Sequence, residues 1–186
     1  MNIWFTSDLH LGHENIIKYC NRPFSSIEEM DEELITRWND VVSQNDTIYH
    51  LGDFALGSHQ VAVRYLEQLN GRIILQQGSH DSRWFDRDFG DGRISTIPPL
   101  HSVVLPIQKG EYEQIAVLCH CAMRTWDRSH YGSWHLFGHS HGKLEPYGLS
   151  FDVGVDTHNF YPWSLDEVAE KMATLSPIVD YSKRSQ

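Results

Sequence analysis

Five times in this 186-residue chain an apolar run ends abruptly in a cluster of polar, mostly metal-philic residues. Asp8-x-His10 follows residues 2–7, Gly52-Asp53 follows 47–51, and Gly78-Ser79-His80-Asp81 follows 72–76; Cys119-His120 follows 115–118, and Gly138-His139-Ser140-His141 follows 135–137. Each run has the length and composition of a buried strand. Helical signals separate the early runs. Residues 14–20 read as a short helix stopped by Asn21-Arg22-Pro23. Ser26 and Glu29 form a capping pair ahead of Ile27, Met30, Leu34, Trp38 and Val41 at helical spacing. Residues 61–69 form a further helix that closes on Asn70-Gly71. Later, strands at 101–107 and 115–118 flank a Lys109-Gly110 turn, and a last strand covers 151–155. A final helix over 164–175 has Ser164 and Glu167 as its capping pair, and residues 183–186 are expected to fray. Strands that first alternate with helices and then cluster predict an α/β fold with mixed sheets. In open α/β folds ligands gather at strand ends, where these clusters fall.

Composition narrows the function classes. With 40% apolar and 22% charged residues the chain can bury a core without disulfides, and its length suits one domain over residues 1–186. Cys20, Cys119 and Cys121 make an odd count without CxxC spacing, which fits a reducing compartment. The first residues, MNIWFTSD, hold no basic n-region, and no run approaches the roughly 20 apolar residues of a membrane span, so a cytoplasmic location and no membrane partner are expected. A formal net charge of −10 argues against stable binding to long duplex DNA.

Carboxylates and imidazoles together suit divalent Mn, Fe, Zn, Co or Ni. A single DxH or HxH carries little weight. The ordered set D-x-H, G-D, G-x-H-D, H and G-H-x-H, running from Asp8 to His141, resembles the calcineurin-like metallophosphoesterase superfamily. Phe5-Thr6-Ser7-Asp8, Gly12-His13-Glu14-Asn15-Ile16, Arg22-Pro23-Phe24 and Tyr49-His50-Leu51-Gly52-Asp53 are similar to a small, mostly prokaryotic and phage branch of it. So are His120-Cys121-Ala122-Met123-Arg124, Gly132-Ser133-Trp134-His135 and Gly154-Val155-Asp156.

The resemblance implies a four-layer α/β/β/α sandwich with two mixed β-sheets and a dimetal site at the strand ends. It implies that Asp8, His10 and His141 hold one divalent ion, that His120 and His139 hold a second, and that Asp53 bridges them. The implied reaction is hydrolysis of a phosphomonoester or phosphodiester by a hydroxide held between two metals. His80, with Asp81 as its partner, is implied as the group that protonates or stabilises the leaving oxygen. The family pattern has Asn where Ser79 stands, and a serine hydroxyl is a shorter, poorer donor, so a weakened second metal position is expected. Arg124, His13 and Arg22 are candidate substrate contacts. Asp152 and Asp156 are candidates for supporting a ligand histidine. A small phosphate ester, a nucleotide or a nucleic-acid end is the expected partner. A weakly active or non-catalytic scaffold on the same fold, and a nuclease, remain as alternative readings.

Overall fold

The computed structural model describes residues 1–178. The strands are β1 (Ile3–Thr6), β2 (Thr47–His50), β3 (Arg72–Gln76), β4 (Ile94–Ile97), β5 (Leu100–Lys109), β6 (Tyr112–Cys119), β7 (Trp134–Phe137), β8 (Ser150–Asp152) and β9 (Trp163–Ser164). The helices are α1 (Glu14–Tyr19), α2 (Ile27–Val41), α3 (His59–Leu66) and α4 (Leu165–Ala173). They build two mixed sheets, ordered β4-β3-β2-β1-β9 and β5-β6-β7-β8. In the first, β1 to β4 run parallel and β9 closes the edge antiparallel to β1. In the second, β5 and β6 form an antiparallel hairpin and β6, β7 and β8 run parallel.

Alternation along the strands sorts the core into two clusters. On one face of the first sheet, Trp4, Ile48, Ile73 and Leu75 pack with Met30, Leu34 and Trp38 of α2 and Ala62 and Leu66 of α3. On the other face Ile3, Phe5, Tyr49 and Leu51 meet Leu105, Ala116, Leu118, Leu136 and Phe151 of the second sheet. Val168 and Met172 of α4 join this inter-sheet cluster. The remaining side chains of β7, His135 and Phe137, lie against each other on the opposite face, and Trp126 from the loop between β6 and β7 packs on His135. Burial of one such large apolar side chain contributes roughly 1.5–3 kcal/mol. Trp38 also places its indole N–H on the Asn70 carbonyl at 3.0 Å, so its one polar atom is satisfied in the core.

Both capping pairs form. Ser26 accepts from the Glu29 amide at 3.2 Å, while the Glu29 carboxylate reaches one residue further back, to the Ser25 amide at 2.7 Å. Ser164 and Glu167 close the full reciprocal box on α4. Some element boundaries differ from those expected. The helix expected over 61–69 is α3, beginning at His59 and ending at Leu66. The strand expected over 151–155 stops at Asp152, whose carboxylate takes the Gly154 amide at 2.7 Å and turns the chain so that Gly154 bridges to Ser7 of the first sheet. Neither β4 nor β9 is marked by a pattern of its own. Strand β4 lies at the edge of its sheet with only partly buried isoleucines and takes its place from pairing with β3, and β9 is 2 residues long. The fraying expected at 183–186 lies outside the described residues.

Candidate metal centre

The polar clusters begin where the strands stop, and the backbone there is unusual. Asp8, His10, Asp53, His139 and His141 all have positive φ, between 48° and 65°. That left-handed region is disfavoured for residues with a Cβ, and each such position costs on the order of 1–3 kcal/mol unless its surroundings enforce it. Glycines make room for these turns. A Cβ on Gly138 would lie 2.0 Å from Ser7 Oγ and 2.4 Å from Asp8 Oδ2, and one on Gly78 would lie 2.1 Å from the Asp53 amide nitrogen. The apolar runs therefore end beside glycines because only glycine lets these loops approach so closely, within the first sheet at Gly78 and between the sheets at Gly138.

Two groups of three side chains result. The ligand atoms of Asp8, His10 and His141 lie within 4.8 Å of one another, as do those of Asp53, His120 and His139. Asp53 Oδ2 faces both groups, 3.6 Å from His10 Nε2 and 3.4 Å from His120 Nε2. Asp8 Oδ1 is 3.8 Å from His10 Nε2 and 4.0 Å from His141 Nε2.

The other atom of each group is already occupied. Asp8 Oδ2 accepts from the His139 amide and Asp53 Oδ1 from the His80 amide, both at 2.8 Å. The Nδ1 atoms of His120 and His141 meet the Leu51 carbonyl at 2.8 Å and Asp156 Oδ2 at 2.7 Å, so they carry the ring protons. The Nδ1 of His10 pairs with that of His13 at 3.4 Å. Asp8 Oδ1, His10 Nε2 and His120 Nε2 are buried and have no hydrogen-bond partner. Unpaired buried polar atoms are expensive and rare. Three of them, pointed at common centres by side chains whose other atoms are fixed, fit a pair of divalent cations.

The electrostatics agree. Burial pushes the Asp8 carboxyl up to about 7 and the His10 imidazole down to about 2. Burial also opposes charge on Asp53 and His120, but their mutual attraction across 3.4 Å prevails, holding Asp53 well below the usual carboxylate range and His120 up at about 9. A cation held here would displace protons from these groups.

The remaining expected residues divide. His80 is exposed, its ring centroid 5.2 Å from that of His10 and 5.5 Å from that of His13, so the three imidazoles line one rim of the centre. Ser79 is exposed beside it. The pairing of Asp81 with the His80 ring is corrected: Asp81 is buried and its two oxygens accept from the backbone amides of Asp53 (2.8 Å), Phe54 (3.0 Å) and Gly78 (2.8 Å). It therefore binds the Asp53 turn to the Gly78 turn. The substrate contact expected of Arg22 is also corrected: its side chain is fully buried and paired with Asp156 at 2.8 Å. Arg124 is exposed, with its guanidinium carbon 5.1 Å over the Tyr147 ring. Asp156 holds the Nδ1 of His141, a candidate ligand, whereas Asp152 holds the loop around it, taking the Ser140 hydroxyl and the Gly142 amide. Cys20 was singled out by nothing in the sequence, yet its sulfur lies within 4.8 Å of ligand atoms of His141 and Asp156. The signal that points to it is its place at the C-terminal cap of α1, the helix that follows the Gly12-His13 segment.

Two groups of carboxylate and imidazole side chains at the strand ends of a two-sheet α/β fold mark a class of proteins with candidate sites for paired metal ions. The model of the calcineurin-like phosphoesterase family matches residues 1–143. The chain belongs to that family. An uncharacterized protein of Methanocaldococcus jannaschii is 35% identical over 177 residues, covering 90% of this chain and 89% of its own. The gene 66 protein of Mycobacterium phage L5 is 39% identical over 83 residues, which is 43% of this chain and 40% of the phage protein. A solved structure of a protein of unknown function from Aquifex aeolicus shares the fold, with a TM-score of 0.66 over 91% of this chain and 98% of that one at 20% identity.

Proposed function

We propose that this chain is a metal-dependent phosphoesterase that hydrolyses small phosphomonoesters or phosphodiesters. The observation that carries the reading is the convergence of three buried, unpartnered ligand atoms, Asp8 Oδ1, His10 Nε2 and His120 Nε2, on the carboxylate of Asp53. Asp8, His10 and His141 would hold one divalent cation, His120 and His139 the other, and Asp53 both. When bound, the cations supply Lewis-acid chemistry: they lower the pKa of water, orient the ester and neutralise charge on the phosphoryl oxygens.

The chain's own groups do the rest. Under this reading His80 gives a proton to the leaving ester oxygen or stabilises negative charge on it; its exposure and its 5.2 Å separation from the His10 ring support that role. His13 and His80 bound the substrate side of the centre. Asp81 acts through the backbone by fixing the turns that present Asp53 and His80. With Ser79, His80 and His139 all exposed, the centre is open, which suits small diesters, nucleotides or nucleic-acid ends over an enclosed ligand. The net charge of −10 disfavours long duplex DNA among these.

The test is a screen of the purified chain, with metal content measured, against p-nitrophenyl phosphate and bis-p-nitrophenyl phosphate in Mn, Fe, Zn, Co and Ni. Hydrolysis that tracks about two bound ions per chain is expected. A chain that binds no metal and hydrolyses neither ester would leave the scaffold reading in its place. Activity confined to bulky lipid or phosphoprotein substrates would overturn the small-ester assignment.

A further inference from the structure

Arg22 is more deeply involved in the centre than any substrate-facing cation would be. Helix α1 ends at Tyr19, Asn21 takes φ of 51°, and the Arg22 amide returns to the Ile17 carbonyl at 2.9 Å. That six-to-one closure, with Pro23 next in the chain, turns Arg22 back under the centre. Its guanidinium fork then makes two sets of bonds. Nε and Nη2 donate to Asp156 Oδ1 and Oδ2 at 2.9 and 2.8 Å, while Nη2 and Nη1 donate to the carbonyls of Asp8 at 2.6 Å and Leu9 at 2.9 Å. The Phe160 ring stands 5.8 Å from the guanidinium carbon, and the side chain is fully buried. Asp156 Oδ2 in turn takes Nδ1 of His141 at 2.7 Å. One buried cation thus ties the left-handed Asp8–His10 turn to the carboxylate that orients His141, joining all three ligands of one group. The second group has no equivalent: among the described residues His139 is exposed and no side-chain hydrogen bond holds its ring in place of the Asp156 contact.

We propose that Arg22 and Asp156 are positioning residues that assemble the Asp8, His10 and His141 group before a cation arrives, fixing His141 with its proton on Nδ1 and its lone pair on Nε2 toward Asp8. The proposal rests on the cation-dependent reading above and adds to it an order of loading, in which this group fills first. An Arg–Asp pair that only stabilised the fold would leave both the His141 tautomer and the relative affinities of the two groups unchanged.

Two measurements test it without relying on turnover. In the full chain stripped of metal by chelation, long-range nitrogen–proton NMR is expected to show the His141 proton on Nδ1; a proton on Nε2 overturns the proposal with no variant needed. Titration calorimetry with Mn is expected to show two phases in the parent chain. In Asp156→Asn the tighter phase should weaken on the order of 10- to 100-fold while the weaker phase holds, because the amide cannot serve both the Arg22 fork and His141. Arg22→Lys, which keeps the charge and loses the fork, should fall between the two. Saturating Mn should return turnover of Asp156→Asn toward the parent value, so that the loss lies in cation affinity. Equal Mn titrations in all three folded chains overturn the proposal. Absence of ester hydrolysis in a parent chain with the expected tautomer and two Mn phases would instead overturn the phosphoesterase reading and leave this one standing.

Discussion

His80 and Ser79 sit next to each other at the open rim, and single substitutions separate what each does. The ligand atoms of His80 also fall within 4.8 Å of those of His10 and Asp53, so an imidazole there could serve a cation or a leaving group. If it serves the leaving group, His80→Asn lowers kcat on the order of 10²- to 10⁴-fold with cation stoichiometry unchanged. Metal analysis of the folded variant checks this, and a lost equivalent of metal would move His80 into the ligand set. Ser79 poses the reverse question. A hydroxyl is a shorter arm than the amide oxygen of asparagine, and the neighbouring group that includes exposed His139 is the less anchored of the two. Ser79→Asn is expected to raise occupancy of that second group and with it the rate, measured as Mn bound per chain alongside turnover. Unchanged values for both would show that this position has no bearing on the cations.

At the scale of the element, β2 carries a titratable group into the helix-facing core. His50 is fully buried between Trp38 of α2 and Phe54, its Nδ1 accepting from the Gly52 amide at 3.3 Å and its Nε2 unpartnered. Burial, with a smaller repulsion from His120, pushes its imidazole down to about 3 from the ordinary 6.5. The folded protein therefore keeps His50 neutral where the unfolded chain protonates it. Above pH 6.5 both states are neutral and nothing is lost; as pH falls from 6.5 toward 3, the unfolded state gains a proton the folded state lacks, and stability drops by up to about 1.4 kcal/mol per pH unit. His50→Phe keeps the ring contacts and removes the proton, so its urea midpoint should fall less between pH 7.5 and pH 5.5 than that of the parent chain. An equal fall would place the acid sensitivity elsewhere. The same strand illustrates what could be read in advance. Its apolar run, and those of β1, β3, β6 and β7, were legible because each is buried on both sides and ends on a Gly, Asp or His cluster. Elements β4 and β9 were not, because pairing with a neighbour defines them and their own residues carry no period. The six candidate ligands stand in the sequence as ordered residue types, and the structure brings them into two groups of three. The roles of Arg22 and Asp81 were misread because their partners are backbone groups and a carboxylate up to 134 positions away, and no local spacing marks such contacts.

For the molecule as a whole, the centre is also a seam. Asp8, His10 and Asp53 follow strands of the first sheet, while His120, His139 and His141 follow strands of the second. Around them, among the described residues, polar links between the sheets include the Ser7–Gly154 bridge, the His120 contact to the Leu51 carbonyl, the His139 amide on Asp8 and the Gln76 amide on the Leu118 carbonyl. Cations held between the two sets of ligands would therefore act as staples between sheets, and they would offset about four of the ten net negative charges. A site filled at a hundredfold excess over its dissociation constant stabilises a fold by about 2.7 kcal/mol, which for a chain of this size is roughly 5–10 °C in midpoint. Chelation should lower the thermal midpoint by that order and Mn should restore it. The loss should not be uniform. Amide exchange is expected to quicken around residues 8–13, 52–54, 120–122 and 138–142 and to stay slow in α2, whose Met30, Leu34 and Trp38 are anchored in the helix-facing core and owe nothing to the seam. If metal leaves and exchange quickens equally in α2 and at the strand ends, the cations stabilise the fold only globally. If exchange changes nowhere, the hydrophobic face between the sheets is sufficient to hold them, and the strained ligand turns are kept in place by glycine packing, Asp81 and Arg22 alone.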